Sequence, residues 1–188
     1  MRTAYIGMGG NLASWVGPPE VTLAAAALRL ESVGRVICRS SLYSTEPVGF
    51  AAQPRFINAV VALETELEPR DLLERLLAIE LEFGRDRAKG FANGPRTLDL
   101  DILLFGTLKI SEPGLEIPHP RLAERAFALI PLNEIAPHAR DPVSGKTVSQ
   151  LLQSLFPDPE SDTHAVVKVQ SDGWRSGAIG SAARPGEP

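Results

Sequence analysis

Cysteine is nearly missing from this chain of 188 residues. Cys38 stands alone, so no internal disulfide can form, and a reducing cytoplasm is the expected setting. Long apolar runs are also missing. No stretch approaches the ~18 consecutive apolar residues of a membrane-spanning helix, and the opening Met1-Arg2-Thr3-Ala4-Tyr5-Ile6 lacks the apolar core of a secretory signal. Positive charge is not in excess. Against 19 Lys and Arg stand 23 Asp and Glu, a formal net charge of −4, which argues against broad binding to nucleic acid or anionic membranes. Histidine is scarce, with three in all, and none has a second His or Cys at metal-ligand spacing, so zinc is not expected. No repeat of ~20–50 residues marks a solenoid or propeller.

What the chain has is the composition of a soluble globular domain, 44% hydrophobic and 22% charged. A chain of this length buries ~70% of its unfolded surface without needing a metal or disulfide staple. Thr3 to Met8 reads as a buried strand ending in Gly9-Gly10-Asn11. Gly17-Pro18-Pro19 leads into a helix over Glu20 to Glu31. Arg35 to Ser44 and Arg55 to Thr65 read as strands, separated by a loop long enough to be functional. From Pro69 to Phe83, residues Leu72, Leu73, Leu76, Leu77, Ile79 and Phe83 share one helical stripe. A cationic loop, Arg85 to Arg96, enters the strand Leu98 to Phe105. A hairpin over Lys109 to Ile117, helices over Arg121 to Glu134 and Val148 to Leu155, and a strand over His164 to Val169 complete the reading. The order β-α-β-β-α-β is the split βαβ, ferredoxin-like arrangement, an antiparallel sheet with helices packed on one face, followed by a C-terminal helical and strand extension. The domain is expected over 1–169. From Gln170 to Pro188, 12 of 19 residues are Gly, Ser, Ala or Pro, so this tail is expected to be disordered and dispensable for stability and activity.

The sharpest chemical signal lies in Gly94-Pro95-Arg96-Thr97-Leu98-Asp99-Leu100-Asp101. Alternation puts Asp99 and Asp101 on one face of a strand, ~7 Å apart, with Leu103 and Phe105 following on the same face. Two such carboxylates can converge on Mg²⁺, which takes one or two carboxylates plus phosphate oxygens. Arg85, Arg87, Lys89 and Arg96 lie close by in sequence. Carboxylates for metal and guanidiniums for polyphosphate are the parts that phosphoryl transfer requires. Glu80 sits inside an apolar stripe and needs a partner, either as a structural tie or as a support for the cationic loop. His119 stands between two prolines that hold the backbone extended. Asn58, among apolar neighbours, suits either a structural hydrogen bond or the amide-like edge of a heterocycle.

These segments, with Gly9-Gly10-Asn11-Leu12, Tyr43-Ser44-Thr45-Glu46-Pro47-Val48-Gly49, Gln53 to Ala59, Ile79-Glu80, Gly84 to Arg87, Ile117 to Pro120 and Arg125-Ala126-Phe127, resemble the 6-hydroxymethyl-7,8-dihydropterin pyrophosphokinases of folate biosynthesis from about Tyr5 to Val169. The resemblance implies Mg-dependent transfer of diphosphate from ATP to the hydroxymethyl group of the dihydropterin, releasing AMP. It implies that Asp99 and Asp101 hold two Mg²⁺ ions, and that Arg85, Arg87 and Arg96 are catalytic and bind ATP along with Ile102, His119 and Arg125. It places Phe56 and Phe127 on the pterin faces, Thr45, Glu46, Val48 and Asn58 at its edge, and Glu80 behind the first ring of contacts. Gly10 stands where many relatives have Ser, and Asn93 where a Trp is common.

A base-stacking RNA-binding module shares the sheet arrangement, but the acidic balance and the lack of a basic-aromatic strand motif weigh against it. A ligand-sensing domain without turnover is the other alternative, and site residues rather than fold must decide between them. The expected partners are small-molecule substrates, with no nucleic acid and no membrane, acting on a monomer.

Overall fold

The ten residues of β4 (Phe56–Thr65) form the spine of the molecule, buried at every position except Glu64. In the computed structural model, residues 1–47, 49–50, 52–87, 93–156, 166–171 and 173–174 are described. β4 pairs antiparallel with β1 (Arg2–Gly10) from Arg2 opposite Thr65 to Gly10 opposite Ile57. Its other edge carries β2 (Arg35–Arg39) and then β3 (Leu42–Thr45). β1 pairs in turn with β5 (Asp99–Phe105), and β3 with β8 (Val166–Val169). The sheet therefore runs β5-β1-β4-β3-β8, with β2 also on β4. A separate hairpin joins β6 (Ile110–Glu112) to β7 (Leu115–Ile117).

A strand as uniformly apolar as β4 must be covered on both faces. On one, Ala59, Val61 and Leu63 join Ile6 and Met8 of β1 against Leu23 and Ala27 of α1 (Pro19–Arg29) and Leu72, Leu76 and Ile79 of α2 (Pro69–Glu82). Both helices start on a proline, whose missing N–H costs nothing in a first turn. On the other face, Val60 meets Leu129 and Leu132 of α3 (Ala126–Ile135) and Val148 and Leu151 of α4 (Val148–Leu155). α4 opens with a capping box, Thr147 and Gln150 each satisfying the other's backbone, as the sequence Thr-x-x-Gln suggests.

Three expectations need correction. The strand read over Arg35 to Ser44 is two strands, because Ser40 leaves the ladder's pattern: its Oγ accepts from the Val60 N–H at 2.9 Å. The helix read over Arg121 to Glu134 is a 3-10 turn at Leu122–Glu124 followed by α3, parted at Arg125, whose backbone is extended (φ −111°, ψ 96°). In β5 the register against β1 shifts between Tyr5 and Ile6, which pair with Leu104 and Ile102. Leu103 is the bulged residue, so alternation fails after it. Phe105 packs with Leu100 and Ile102 in the α1/α2 core rather than beside the aspartates.

Trp174 lies in the segment expected to be unpacked, yet it is 3% exposed. Its indole N–H donates to the Ser40 carbonyl at 2.6 Å, and the Arg39 guanidinium lies 5.6 Å from its ring centre. Residues 175–188 of the expected tail lie outside the described residues. Truncating a buried Trp typically costs ~3–5 kcal/mol. Trp174→Ala should therefore lower the denaturant-unfolding stability by at least ~2 kcal/mol, the reduction allowing for local release of a chain end. Unchanged unfolding midpoints would mean that this indole is not docked in solution.

Candidate active site

Alternation along β5 turns Asp99, Asp101 and Leu103 toward the start of α3, where they line a cavity of about 340 Å³. Its floor is the glycine-rich end of β1, and the glycines are there for close approach. A Cβ on Gly9 would lie 2.7 Å from Asn58 Oδ1, and one on Gly10 would lie 2.4 Å from the Thr97 carbonyl. The chain just beyond is stitched to the entry of β5. Asn11 and Leu12 donate their N–H groups to the Arg96 carbonyl at 2.9 and 3.1 Å. The Arg96 N–H in turn donates to Asn11 Oδ1 at 2.8 Å. Asn11, 4% exposed, also donates through Nδ2 to Gln53 Oε1 and the Pro54 carbonyl. One amide thus ties three loops around the cavity, a role that no local sequence pattern signals.

Guanidiniums crowd the two carboxylates. Asp99 has Arg96 at 3.0 Å, Arg85 at 3.4 Å and Arg87 at 3.9 Å. Asp101 has Arg125 at 3.7 Å and His119 Nε2 at 3.9 Å. Burial, then the charge of Asp99, holds the Asp101 carboxyl above the usual range. His119 faces an N–H donor at each ring nitrogen, the Arg121 backbone at Nδ1 (3.1 Å) and the Arg125 guanidinium at Nε2 (3.2 Å). Burial and then Arg125 push its pKa down to about 4, so the ring is neutral at pH 7. Among the described residues, the buried Arg85 and Arg96 Nε atoms find no acceptor. Buried N–H groups of this kind are costly, and a bound anion would satisfy them.

Glu80 is 1% exposed. Arg87 donates to it twice, from Nε and Nη2 at 2.8 Å each, and the Leu100 N–H donates to Oε1 at 2.8 Å. Burial is the largest influence and pushes its pKa up against those donors. The aromatic walls are already covered by cations: Arg96 lies 4.7 Å from the Phe56 ring centre and Arg125 lies 5.5 Å from that of Phe127. Asn58 donates to Thr45 Oγ1 at 2.8 Å, deep in the wall, and Glu46 pairs with Arg55 at the rim.

Thr45, Glu46, Phe56, Asn58, Arg85, Arg87, Arg96, Asp99, Asp101, His119, Arg125 and Phe127 thus line one cavity. Ile102 does not. It is 5% exposed within the α1/α2 core, on the opposite face from Asp101, so its side chain is turned away. Val48 and Lys89 lie outside the described residues. Arg121 and Asn93 also line the cavity; sequence reasoning missed Arg121, and it noted Asn93 only as standing where a Trp is common. For Arg121 the available signal was a further cation two residues past His119. Asn93 has φ 59°, a left-handed conformation that asparagine tolerates better than most residues.

Residues 5–137 match the family model described as 7,8-dihydro-6-hydroxymethylpterin-pyrophosphokinase (HPPK). The 2-amino-4-hydroxy-6-hydroxymethyldihydropteridine pyrophosphokinase of Pseudomonas aeruginosa is 45% identical over 154 residues, covering 81% of this chain and 91% of that protein. The protein of the same name from Synechocystis is 42% identical over 154 residues, covering 81% and 75%. A crystal structure of Plasmodium falciparum HPPK-DHPS superposes with TM-score 0.63 at 16% identity, covering 81% of this chain and 41% of that one. This last likeness is one of fold, and the chain spans less than half of that structure's length.

Replacing Glu80 tests the tie behind the cavity. Arg87, half-exposed, can turn to solvent when its partner is gone, but the Leu100 N–H cannot. Glu80→Ala should cost ~1–3 kcal/mol through that orphaned donor, read by chemical unfolding. It should also speed hydrogen exchange at Leu100 selectively. Full protection at Leu100 in the variant would contradict the role assigned to this carboxylate.

Proposed function

We propose, since this chain belongs to the 7,8-dihydro-6-hydroxymethylpterin-pyrophosphokinase family, that it transfers the terminal diphosphate of ATP to 6-hydroxymethyl-7,8-dihydropterin with the help of Mg²⁺. The observation that carries this reading is the pair Asp99 and Asp101 facing a cavity ringed by Arg85, Arg87, Arg96 and Arg125 and walled by Phe56 and Phe127. The order β5-β1-β4-β3 supports reading the first 105 residues as the ferredoxin-like arrangement. The extension beyond them carries His119, Arg125 and Phe127 to the other side of the cavity.

The residues present suit a hard divalent cation. Among the described residues no cluster of three or more His, Cys, Asp or Glu could hold a metal by itself. Two carboxylates with phosphate oxygens and water completing the shell is the Mg²⁺ pattern, and two ions are proposed on Asp99 and Asp101. When bound, Mg²⁺ neutralises phosphate charge and holds the transferring group in line. The protein's own part is positioning and neutralisation. Arg85 and Arg96 present unsatisfied N–H donors that suit a triphosphate, because a planar guanidinium matches phosphate oxygens through paired donors. Arg87, held by Glu80, keeps its charge at the mouth of the site. His119, neutral and pinned by the Arg121 N–H, offers ATP a ring rather than another full charge.

The pterin slot is built from Phe56 and Phe127, with Asn58 and Thr45 at the edge of the flat heterocycle and Glu46 and Val48 beside them. The hydroxymethyl oxygen bonds to the β-phosphorus while the bond from that phosphorus to the α,β-bridging oxygen breaks. AMP leaves with the bridging oxygen, and the hydroxyl proton passes to water. The enzyme works as a cytoplasmic monomer on small molecules, without nucleic acid or membrane. Among the described residues no helix is long and apolar enough to cross a membrane. Residues 1–169 form the catalytic domain, and Trp174 of the segment that follows docks on it.

Purified chain mixed with ATP, Mg²⁺ and the hydroxymethyl-dihydropterin should release AMP, and omitting any one should abolish release. Asp99→Asn and Asp101→Asn should each reduce turnover by at least ~10²-fold, the loss expected when a metal ligand of a phosphoryl-transfer site goes. Near-normal rates in both would overturn the metal assignment. Phe56→Ala should weaken pterin binding by ~1–3 kcal/mol through lost stacking area, measured calorimetrically. An unchanged pterin affinity would remove Phe56 from the slot.

A further inference from the structure

One carboxylate outside the cavity gathers donors from three elements. Glu134, on α3, accepts from the Ser41 N–H at 2.8 Å and the Tyr43 hydroxyl at 3.0 Å through Oε2. Through Oε1 it accepts from the Ser41 hydroxyl at 2.8 Å and from Lys168 of β8 at 2.9 Å. Both ends of this knot lead to the pterin slot. Along α3, Phe127 lies two helical turns, ~10 Å, before Glu134, and Phe127 is one wall of the cavity. Along β3, Tyr43 and Thr45 share a face by alternation, and Thr45 holds the Asn58 amide. β8 closes the outer edge of β3 in register, Lys168 opposite Tyr43 and Val166 opposite Thr45.

We propose that Glu134 is a positioning residue for pterin binding: by fastening α3 to β3 and β8 it sets the spacing between Phe127 on one side and the Thr45–Asn58 pair on the other. The inference rests on the pterin reading of the slot. A flat ligand held between an aromatic wall and a directed amide tolerates little change in that spacing, since small misplacements cost large factors. Most of the ATP side is tied differently, through Glu80 to Arg87 and through Asn11 to the Arg96 backbone, and only Arg125, at the start of α3, shares an element with Glu134. The hydrogen bonds from Lys168, Ser41 and Tyr43 outweigh burial and hold the Glu134 carboxyl below the usual range. Burial, then the bond to Glu134, pushes the Tyr43 hydroxyl up to about 12. The knot is charged on one side and neutral at Tyr43 throughout the working pH range.

Glu134→Gln keeps the shape but gives the Ser41 N–H and the Tyr43 hydroxyl a competing donor. It should raise KM for the hydroxymethyl-dihydropterin by ~5–10-fold while leaving kcat at saturation and KM for ATP within ~2-fold, the pattern of lost uniform binding. Lys168→Met, which removes one of the four donors, should shift the same constant in the same direction by less. Tyr43→Phe combined with Glu134→Gln should give less than the product of the single effects, since both act on one contact. Leu23→Ala, a truncation in the core on the opposite face of the sheet from α3, serves as the control for general loosening and should not move the pterin KM. Equal changes in both KM values, an unchanged pterin KM, or an equal rise in the Leu23→Ala control would overturn the proposal. Hydrogen exchange across Leu42–Thr45, expected to accelerate in Glu134→Gln while α2 stays protected, reads the clamp without catalysis. A wild-type chain that releases no AMP would defeat the pterin reading, and retained protection in β3 would defeat the clamp.

Discussion

The contact on which the site depends is the buried carboxylate of Glu80. Among the described residues β5 is the last strand on its side of the sheet, so its outer N–H groups have no neighbouring strand there. Such an edge is normally covered or blunted, and here α2 supplies the acceptor. Glu80 takes the Leu100 N–H and, with its remaining capacity, the guanidinium of Arg87. A buried charge carries a desolvation penalty of several kcal/mol unless its donors are complete. The same group that finishes the sheet therefore fixes Arg87 beside the strand that carries Asp99 and Asp101. Core packing and the charge of the cavity meet at one side chain.

The cavity has more guanidiniums than carboxylates, on a chain whose formal net charge is −4. Asp99 is shared among three arginines, and burial lowers the pKa of Arg85 and Arg125. Like charges at this density repel, and with desolvated donors left unsatisfied the arrangement stores a cost that a polyanion relieves. Acidic surroundings with a local cationic pocket favour small phosphorylated ligands over nucleic acid, whose extended backbone demands an extended basic surface. The aromatic walls serve the same economy of space. Phe56 and Phe127 each lie under an arginine, so each ring face is covered and its guanidinium is held at the cavity in one packing.

Much of this was legible before the structure. The Asp-Leu-Asp alternation on β5 and the α2 stripe with Glu80 inside it depend on local periodicity, which is written in the chain, whereas Phe56 and Phe127 were singled out by resemblance to the family. What sequence could not supply was set by tertiary partners. The bulge at Leu103, which turns Phe105 into the opposite core, arises from pairing with β1. The break at Ser40 depends on Val60, twenty residues away. Ile102 carried a binding role only by family analogy, and its side chain faces the core rather than the cavity. Asn11 and Glu134 work through contacts 85 and 93 residues distant in sequence. Trp174 stands in a segment whose composition reads as disordered, and only its dock on Ser40 makes it part of the core.

The lone thiol has a use that follows from where it lies. Cys38 is free and exposed, and it lines the same shallow surface hollow as Trp174, well away from Asp99 and Asp101. A fluorophore attached there would sit beside a nearly buried indole. Its emission would therefore change when the segment that carries Trp174 is released and the hollow's surroundings alter. The chain supplies both halves of an optical gauge for its own terminus, with no engineered cysteine and no residue of the cavity disturbed.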